Sequence, residues 1–303
     1  MANGTSPDAL PPVSLVVLTR DRPEELRRTL TRLVALPERP PIIVVDNGSR
    51  AGTLDTLRRE FPAVRWEPLG YNAGAAGRNA GVARVRTPYV AFCDDDAWWA
   101  PGSLAAATPL LERHPQVAVL SARVLVGPGG TEDPACAAMA ASPLPRGHLP
   151  GPLLMGFLAG ACVMRRSAFL EAGGYEPALF LGAEEALLAL DLCALGWSIV
   201  YAADLTVHHH PSAHRDAAER RRLLLRNELL VAWLRRPPGV AVSKTWHALA
   251  RCLRRPALLP GLGGALARLP WALRRRRVVP GAVEAWCRAV EGSDGRSSPR
   301  VTV

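Results

Sequence analysis

Apolar residues in this chain fall into short runs separated by polar turns, and the runs alternate between two periods. Val13-Ser14-Leu15-Val16-Val17-Leu18-Thr19 is a β-branched run of the kind found in a parallel strand covered on both faces. At Pro23 the period becomes helical, over 23–35, with Leu26, Leu30, Leu33 and Val34 on the inner face and Glu24 and Glu25 in a first turn that favours acids. A second run, Ile42-Ile43-Val44-Val45, ends in Asp46-Asn47-Gly48-Ser49, and a helix over 53–61 and a short strand over 64–67 follow. A third run, Tyr89-Val90-Ala91-Phe92-Cys93, stops at Asp94-Asp95-Asp96. Beyond it the pattern predicts a helix over 103–113, a strand over 117–124, a small-residue strand over 156–166 and a helix over 167–172. A helix over 181–192 and two strands, 197–201 and 205–210, complete this part of the chain. Repeated strand–turn–helix units argue for an α/β, doubly wound sheet. Residues 127–152, rich in Gly, Pro and Ala, read as a loop over a cleft or a surface excursion.

Ligands of such sheets bind beyond the carboxyl ends of the strands, which is where Thr19, Asp46, Asn47 and Asp94 to Asp96 fall. Three adjacent acids repel one another unless a positive charge sits among them, so the triplet is either a solvated turn or part of a site for a hard divalent cation. Asp46 taken alone reads more readily as a helix N-cap. The segment from Asn72 to Gly81 places glycines at a helix start, where free N–H groups attract anions and Arg78 can pair with phosphate. Tight helix–strand packing is the alternative reading. No Gly-Lys-Ser/Thr follows, so the segment is not a Walker A loop, and the turn after the first strand lacks the glycines of a dinucleotide fingerprint. Glu184 and Glu185 sit in the first turn of a helix, where the macrodipole alone would favour them. In His208-His209-His210, strand alternation puts His208 and His210 on one face and His209 on the other, so the three cannot all ligate one ion. Trp98 and Trp99 fit core anchors or a sugar-stacking surface.

With 303 residues and 49% hydrophobic side chains, the chain buries one sizeable core. Of its 37 basic residues all but Lys244 are arginine, a bias that reads as genomic composition. The net charge of +10 is uneven: residues 1–212 carry 18 Arg against 21 acids, and residues 213–277 carry 16 basic residues against 3 acids. A slightly acidic core without interleaved basic and aromatic residues argues against nucleic acid as a partner. Arg-flanked apolar stripes over 220–234, 246–255 and 265–277 fit either a helical cap on the core or peripheral contact with an anionic membrane. Six cysteines without paired or zinc spacing suit a reducing cytoplasm. Neither a signal peptide nor an uninterrupted membrane span is expected, since Pro260, Arg268 and Pro270 break the nearest candidate. The expected organisation is a disordered N-terminus over 1–12, a nucleotide-binding domain over 13–212, a basic helical region over 213–291 and a disordered tail over 292–303.

Val17-Leu18-Thr19-Arg20, Val44-Val45-Asp46-Asn47-Gly48-Ser49, the segment from Asn72 to Gly81 and the strand-end Asp94-Asp95-Asp96 together resemble the family 2 glycosyltransferases of GT-A fold, of the bacterial rhamnosyl- and galactofuranosyltransferase kind. The resemblance implies an inverting, metal-dependent transfer of a sugar from a UDP- or dTDP-linked donor to a hydroxyl of a glycan or lipid-linked acceptor. It implies that Thr19, Arg20, Asp46, Asn47, Asn72, Gly77, Arg78, Asn79, Asp94 and Asp95 line the nucleotide-sugar cleft. Asp94, Asp96 and His208, with His209 as the neighbouring candidate, would hold Mn²⁺ or Mg²⁺. Glu185 would be the general base, with Glu184 in reserve, although the family more often carries Asp at that position. The competing readings are a non-catalytic module binding membrane or nucleic acid on a degenerate nucleotide-binding core, and nucleotidyl transfer.

Overall fold

Parallel pairing of the early apolar strands builds the centre of the molecule. The computed structural model describes residues 12–211 and 217–294. Strand β1 (Val13–Thr19) lies between β2 (Ile42–Asp46) and β4 (Tyr89–Asp94), parallel to both, and β3 (Arg65–Pro68) pairs with β2. The sheet is completed by β5 (Ala97–Trp99), β6 (Val117–Val126), β7 (Thr131–Glu132), β8 (Ala161–Arg165) and β9 (Ser198–His209). Its order is β3-β2-β1-β4-β8-β6-β9-β5, with β7 on β6; β8 runs antiparallel to its neighbours, so the sheet is mixed. Helices α1 (Pro23–Val34), α2 (Asp55–Glu60), α3 (Gly77–Arg84), α4 (Ser103–Arg113), α5 (Pro134–Ala140), α6 (Arg166–Glu171) and α7 (Glu184–Ala194) accompany it. Because β1 and β2 bury nearly every side chain, they can only be central strands, as their unbroken apolar runs require. Their register sets Thr19 beside Asp46 and Leu18 beside Asp94, which brings the polar strand ends to one edge.

Four helices follow: α8 (Ala217–Arg235), α9 (Pro238–Arg254), α10 (Leu259–Arg274) and α11 (Gly281–Asp294). They are joined to the sheet's core through Leu230, Val231, Leu234, Ala272, Val279, Val283 and Cys287. Leu225, Leu229, Ala248, Cys252, Leu258 and Leu262 form a second, smaller core among them. Three ion pairs tie their cations down: Arg235 pairs with Asp191 on α7, and the buried Arg236 contacts Glu284 at 2.6 Å and Glu291 at 2.8 Å. All six cysteines are buried and free. Among the described residues no helix is long and apolar enough to cross a membrane.

Several local expectations are corrected. Helix α1 stops at Val34, which is exposed, because the inner face is already filled by Leu26, Leu30 and Leu33. Residues 127–152 are not a bare loop; α5 inserts Cys136 into the core, where its thiol meets the backbone of Val124. The two strands expected over 197–210 are one strand, β9, interrupted by a bulge: Ala202 pairs with Ala122 and Thr206 with Arg123, leaving 203–205 unmatched. The helix of the last segment runs on to Asp294, past the expected start of the tail. The expected disorder of 1–12, apart from Pro12, the boundary near 212 and the tail beyond 294 lie outside the described residues.

Gly81 is where α3 touches the sheet: a Cβ there would stand 2.5 Å from Val16 Cγ1 and 2.9 Å from Val45 Cγ2. Both valines are fixed in central strands, so neither can yield cheaply. Gly81→Val is expected to destabilise the fold by about 3 kcal/mol, the upper range for overpacking, read as a lowered urea midpoint at unchanged m.

Candidate active site

Strand β4 ends at Asp94, and Asp95 and Asp96 turn the chain into β5. The turn points the three acids in different directions. Asp95 faces inward: its Oδ2 accepts from Thr19 Oγ1 at 2.9 Å, its Oδ1 from Arg22 Nη1 at 2.9 Å, and its carbonyl from Thr29 Oγ1 at 2.8 Å. Burial raises its pKa to about 6, against the opposing pull of Arg22. Asp96 is also buried, and Arg22 reaches its Oδ2 at 3.3 Å. Asp94, less buried, pairs with Arg78. Thr19 and Asp95, expected to line the nucleotide cleft, are therefore engaged with each other as a brace between β1 and the acidic turn. Gly160, just before β8, makes room for Asp94, whose Oδ2 would lie 2.5 Å from a Cβ at that position.

The amide segment is likewise an internal scaffold. Asn47 Nδ2 donates to Asn72 Oδ1 and to the Gly74 carbonyl, both at 3.0 Å, and Asn47 Oδ1 accepts from the Ala73 N–H at 2.8 Å. Asn72 Oδ1 in turn accepts from the Gly74 N–H. Gly77 fits against Asn47, leaving no space for a side chain. Asn79 holds the backbone of Tyr175 from both sides, donating to its carbonyl at 2.8 Å and accepting from its N–H at 3.0 Å. Asn47, Asn72 and Asn79, expected to face the nucleotide, hold the walls of the cleft with the amide groups named here. Asp46 caps the turn below it, accepting from the Ser49 N–H at 2.9 Å and pairing with Arg58 at 3.1 Å. Arg20 stands exposed at the same edge, 3.9 Å from Asp21.

Arg78 connects this edge to α7. Its guanidinium is buried and lies over the Tyr175 ring at 5.8 Å. Burial alone would lower its pKa, but the charges of Asp94, Tyr175, Glu185 and Glu184 outweigh burial and raise it. Glu184 and Glu185 open α7 and feel the same cation. Glu184 is buried, and burial together with the Glu185 charge raises its pKa to about 7. Glu185, half-buried, is raised by desolvation as well, with Arg78 opposing and Asp94 adding to the shift. The chain entering α7 is held under strain. Phe180 and Ala183 both have φ of 63°, a left-handed conformation that costs a residue with a Cβ about 1–2 kcal/mol. Two contacts hold it there. The Ala75 N–H donates to the Phe180 carbonyl at 2.7 Å, an approach that Gly74, itself at φ +61°, permits because a Cβ would strike that carbonyl. From the other side Asn227 Nδ2 on α8 donates to the carbonyls of Leu179, Leu181 and Gly182 at 2.7, 2.9 and 2.6 Å.

The histidines divide by strand parity. Trp98 stacks on His208 at 5.8 Å and lies against His210 at 4.6 Å, whereas His209 Nε2 points at Asp96 Oδ1, 3.4 Å away. His208, the favoured metal ligand of the three, is thus on the wrong face, and His209 takes its place beside the acid. Trp99 is fully buried, a core anchor that donates to the Phe92 carbonyl. Among the described residues no group of three His, Cys, Asp or Glu side chains is placed to hold a metal ion. The set Asp94, Asp96 and His208 is therefore not assembled. A hard cation whose shell is completed by substrate phosphates and water needs only one or two protein ligands, and the carboxylate–imidazole pair of Asp96 and His209 fits that requirement.

Sequence reasoning passed over Arg22, Thr29, Arg58 and Asn227. Arg22 lay in view beside Pro23, but its acids are more than 70 positions away, and no local pattern announces such a contact. Asn227 carried no signal at all within a stripe of Leu and Arg.

Because the folded pKa of Glu184 is raised from 4.5 to about 7, its contribution to stability is full below 4.5 and lost as pH rises through about 7. The full excursion is about 3 kcal/mol, and Glu184→Gln is expected to flatten it. Urea midpoints of both proteins at about pH 5 and about pH 8 check this, the wild type losing more on the alkaline side. Asn227→Ala removes the amide donor from the carbonyls of Leu179, Leu181 and Gly182, of which Leu179 keeps Arg226, and is expected to cost about 1–3 kcal/mol, measured the same way.

The Glycosyl transferase family 2 model matches residues 14–173, more than half of the chain. The N-acetylglucosaminyl-diphospho-decaprenol L-rhamnosyltransferase of Mycobacterium tuberculosis is 28% identical over 250 residues, which cover 70% of this chain and 80% of the relative. Among solved structures, the mannosyltransferase PcManGT from Pyrobaculum calidifontis, in complex with GDP-Man and Mn²⁺, superposes with a TM-score of 0.57 at 18% identity, covering 96% of this chain and 89% of that one. Staphylococcus aureus TarS 1–349, in complex with UDP-GlcNAc, gives 0.58 at 14% identity, covering 95% and 93%. The mixed sheet with its carboxyl-edge acids is thus a GT-A fold with a C-terminal helical extension, and the chain belongs to glycosyl transferase family 2.

Proposed function

We propose that this glycosyltransferase moves a sugar, with inversion, from a UDP- or dTDP-linked donor to a hydroxyl of a lipid-linked saccharide of the cell envelope. The observation that carries the reading is the convergence of Asp94 from the sheet edge and Glu184 and Glu185 from α7 on one buried guanidinium, Arg78. In this reading Arg20 and the backbone of residues 72–77 border the nucleotide, and Asp94 meets its ribose. Asp96 and His209 would hold the divalent cation, Mn²⁺ or Mg²⁺. When bound, that cation supplies charge neutralisation to the departing diphosphate. Glu185 takes the proton of the acceptor hydroxyl as that oxygen attacks the anomeric carbon, and the bond from that carbon to the nucleotide diphosphate breaks. The raised pKa of Glu185 suits it to this, since a base is most effective when its pKa approaches the working pH. Glu184, buried beside it, is raised to about 7 by burial and by the Glu185 charge.

The lipid-linked acceptor is supported by the name of the mycobacterial relative, which acts on a diphospho-decaprenol saccharide. A surface feature of this chain agrees with it. Val242, Trp246 and Leu253 are exposed along one face of α9, and Leu259, Leu266 and Leu273 along one face of α10. With 16 basic residues in 213–277, such stripes suit peripheral contact with an anionic bilayer.

Calorimetric titration with UDP and dTDP, each with and without Mn²⁺, tests the donor site. Metal-dependent binding of one nucleotide is expected in the wild type and its loss in Asp96→Ala. Glu185→Ala is expected to retain that binding while transfer falls by about 10²–10⁴-fold, the range for a removed general base. Undiminished turnover in Glu185→Ala would refute its assignment, and absence of nucleotide binding would refute the donor site itself.

A further inference from the structure

Between α8 and α10 lies an open cavity of about 340 Å³, lined by Arg222, Arg226 and Arg268, by Gly261 and Gly264, and by Glu219 at its rim. Its lining carries three arginines and one glutamate. Arg226 is the unusual member, because it is buried and yet meets only neutral acceptors: its Nε donates to Asn227 Oδ1 at 2.8 Å and its Nη2 to the Leu179 carbonyl at 2.7 Å. Arg236, just past the end of α8, shows how this protein otherwise treats a buried guanidinium, with two carboxylates against it. Among the described residues none of the ion pairs includes Arg222, Arg226 or Arg268; the Nε of Arg222 donates to the Ala257 carbonyl at 2.9 Å. Burial and the neighbouring charge of Arg268 lower the pKa of Arg226, the mark of a cation short of counter-charge.

A buried cation without a counter-charge is costly, and a second cation near it makes the cost larger unless an anion enters between them. The glycines shape the room for it: a Cβ at Gly264 would press on Arg226 Cδ at 3.2 Å, and one at Gly261 on the Arg222 carbonyl at 2.5 Å. The volume is at the lower end for small-molecule sites, enough for a phosphate or diphosphate group, whose oxygens match guanidinium forks. We propose that this cavity is an anion site for a phosphate or diphosphate group, with Arg226 as its buried anchor and Arg222 and Arg268 as its outer arms. The site is connected to the catalytic edge, since Arg226 and its neighbour Asn227 both donate to the Leu179 carbonyl at the start of the strained segment leading to Glu184. It goes beyond the transfer reaction, and its test uses neither donor nor acceptor.

The full chain is titrated calorimetrically with inorganic pyrophosphate in EDTA, which removes divalent cations from the acidic turn. Saturable binding is expected, weakened about tenfold by Arg222→Gln or Arg268→Gln and further by the double substitution. Both arginines are exposed, so their loss leaves the fold intact. Arg254→Gln, an exposed arginine on α9 away from the cavity, is expected to change nothing. Repeating the titration with phosphatidylcholine vesicles containing phosphatidic acid identifies the source. If saturating vesicles abolish pyrophosphate binding, the cavity takes a lipid-borne phosphate; if binding survives them, it takes a soluble one. The proposal is overturned if pyrophosphate does not bind saturably, if the double variant binds as the wild type does, or if Arg254→Gln weakens binding equally.

Discussion

A buried arginine among carboxylates is the constraint on which this site depends. Arg78 belongs to the first turn of α3, and its side chain extends beneath the ends of β4 and α7, elements that do not follow one another in the chain. Taking a guanidinium out of water is expensive, and only the surrounding acids make it tolerable. The same holds in reverse, because Asp94, Glu184 and Glu185 would repel one another without it. Neither half of the arrangement is stable alone. Removing the cation would leave three acids facing one another, so the cleft between sheet and α7 stays assembled only while cation and acids are all present.

The C-terminal helices belong to this machinery rather than decorating it. Asn227 is completely buried although it lies on a helix far from the sheet in sequence, and its amide nitrogen donates to three carbonyls of the segment that leads to Glu184 and Glu185. From the opposite side, the same segment is held by the N–H of Ala75 in the cleft wall. A backbone with two residues in left-handed conformations would relax if either support were absent. The geometry of the segment entering α7 is thus set jointly by the cleft wall and by α8.

How much of this was legible in the sequence follows the range of the forces involved. Strand β1 and helix α4 occupy the residues their patterns predict, because burial on both faces and a helical apolar period are local signals. The acidic turn and the acids of α7 could be placed by their positions at element ends. Their partners could not. Arg22, Thr29 and Asn227 act across tens of residues, and their types are common in ordinary turns and helices. The histidines show the limit best. Alternation correctly separates His208 and His210 from His209, yet which face meets Asp96 depends on the bulge at 203–205, which resets the parity of β9. A bulge without glycine or proline leaves no mark in the sequence.

Arginine content illustrates the same boundary between composition and environment. An excess of arginine over lysine is uninformative as a count, since codon bias alone produces it. The structure sorts those arginines by what surrounds them. Arg22 and Arg78 neutralise the acidic turn, and Arg235 and Arg236 clamp helices through carboxylates. Arg226 is buried to a similar degree as Arg78 and Arg236, but its described partners are an amide and a carbonyl. Since the desolvation cost of a guanidinium does not depend on why the genome encodes it, the distinction that matters is whether a compensating negative charge comes from within the chain or from outside it.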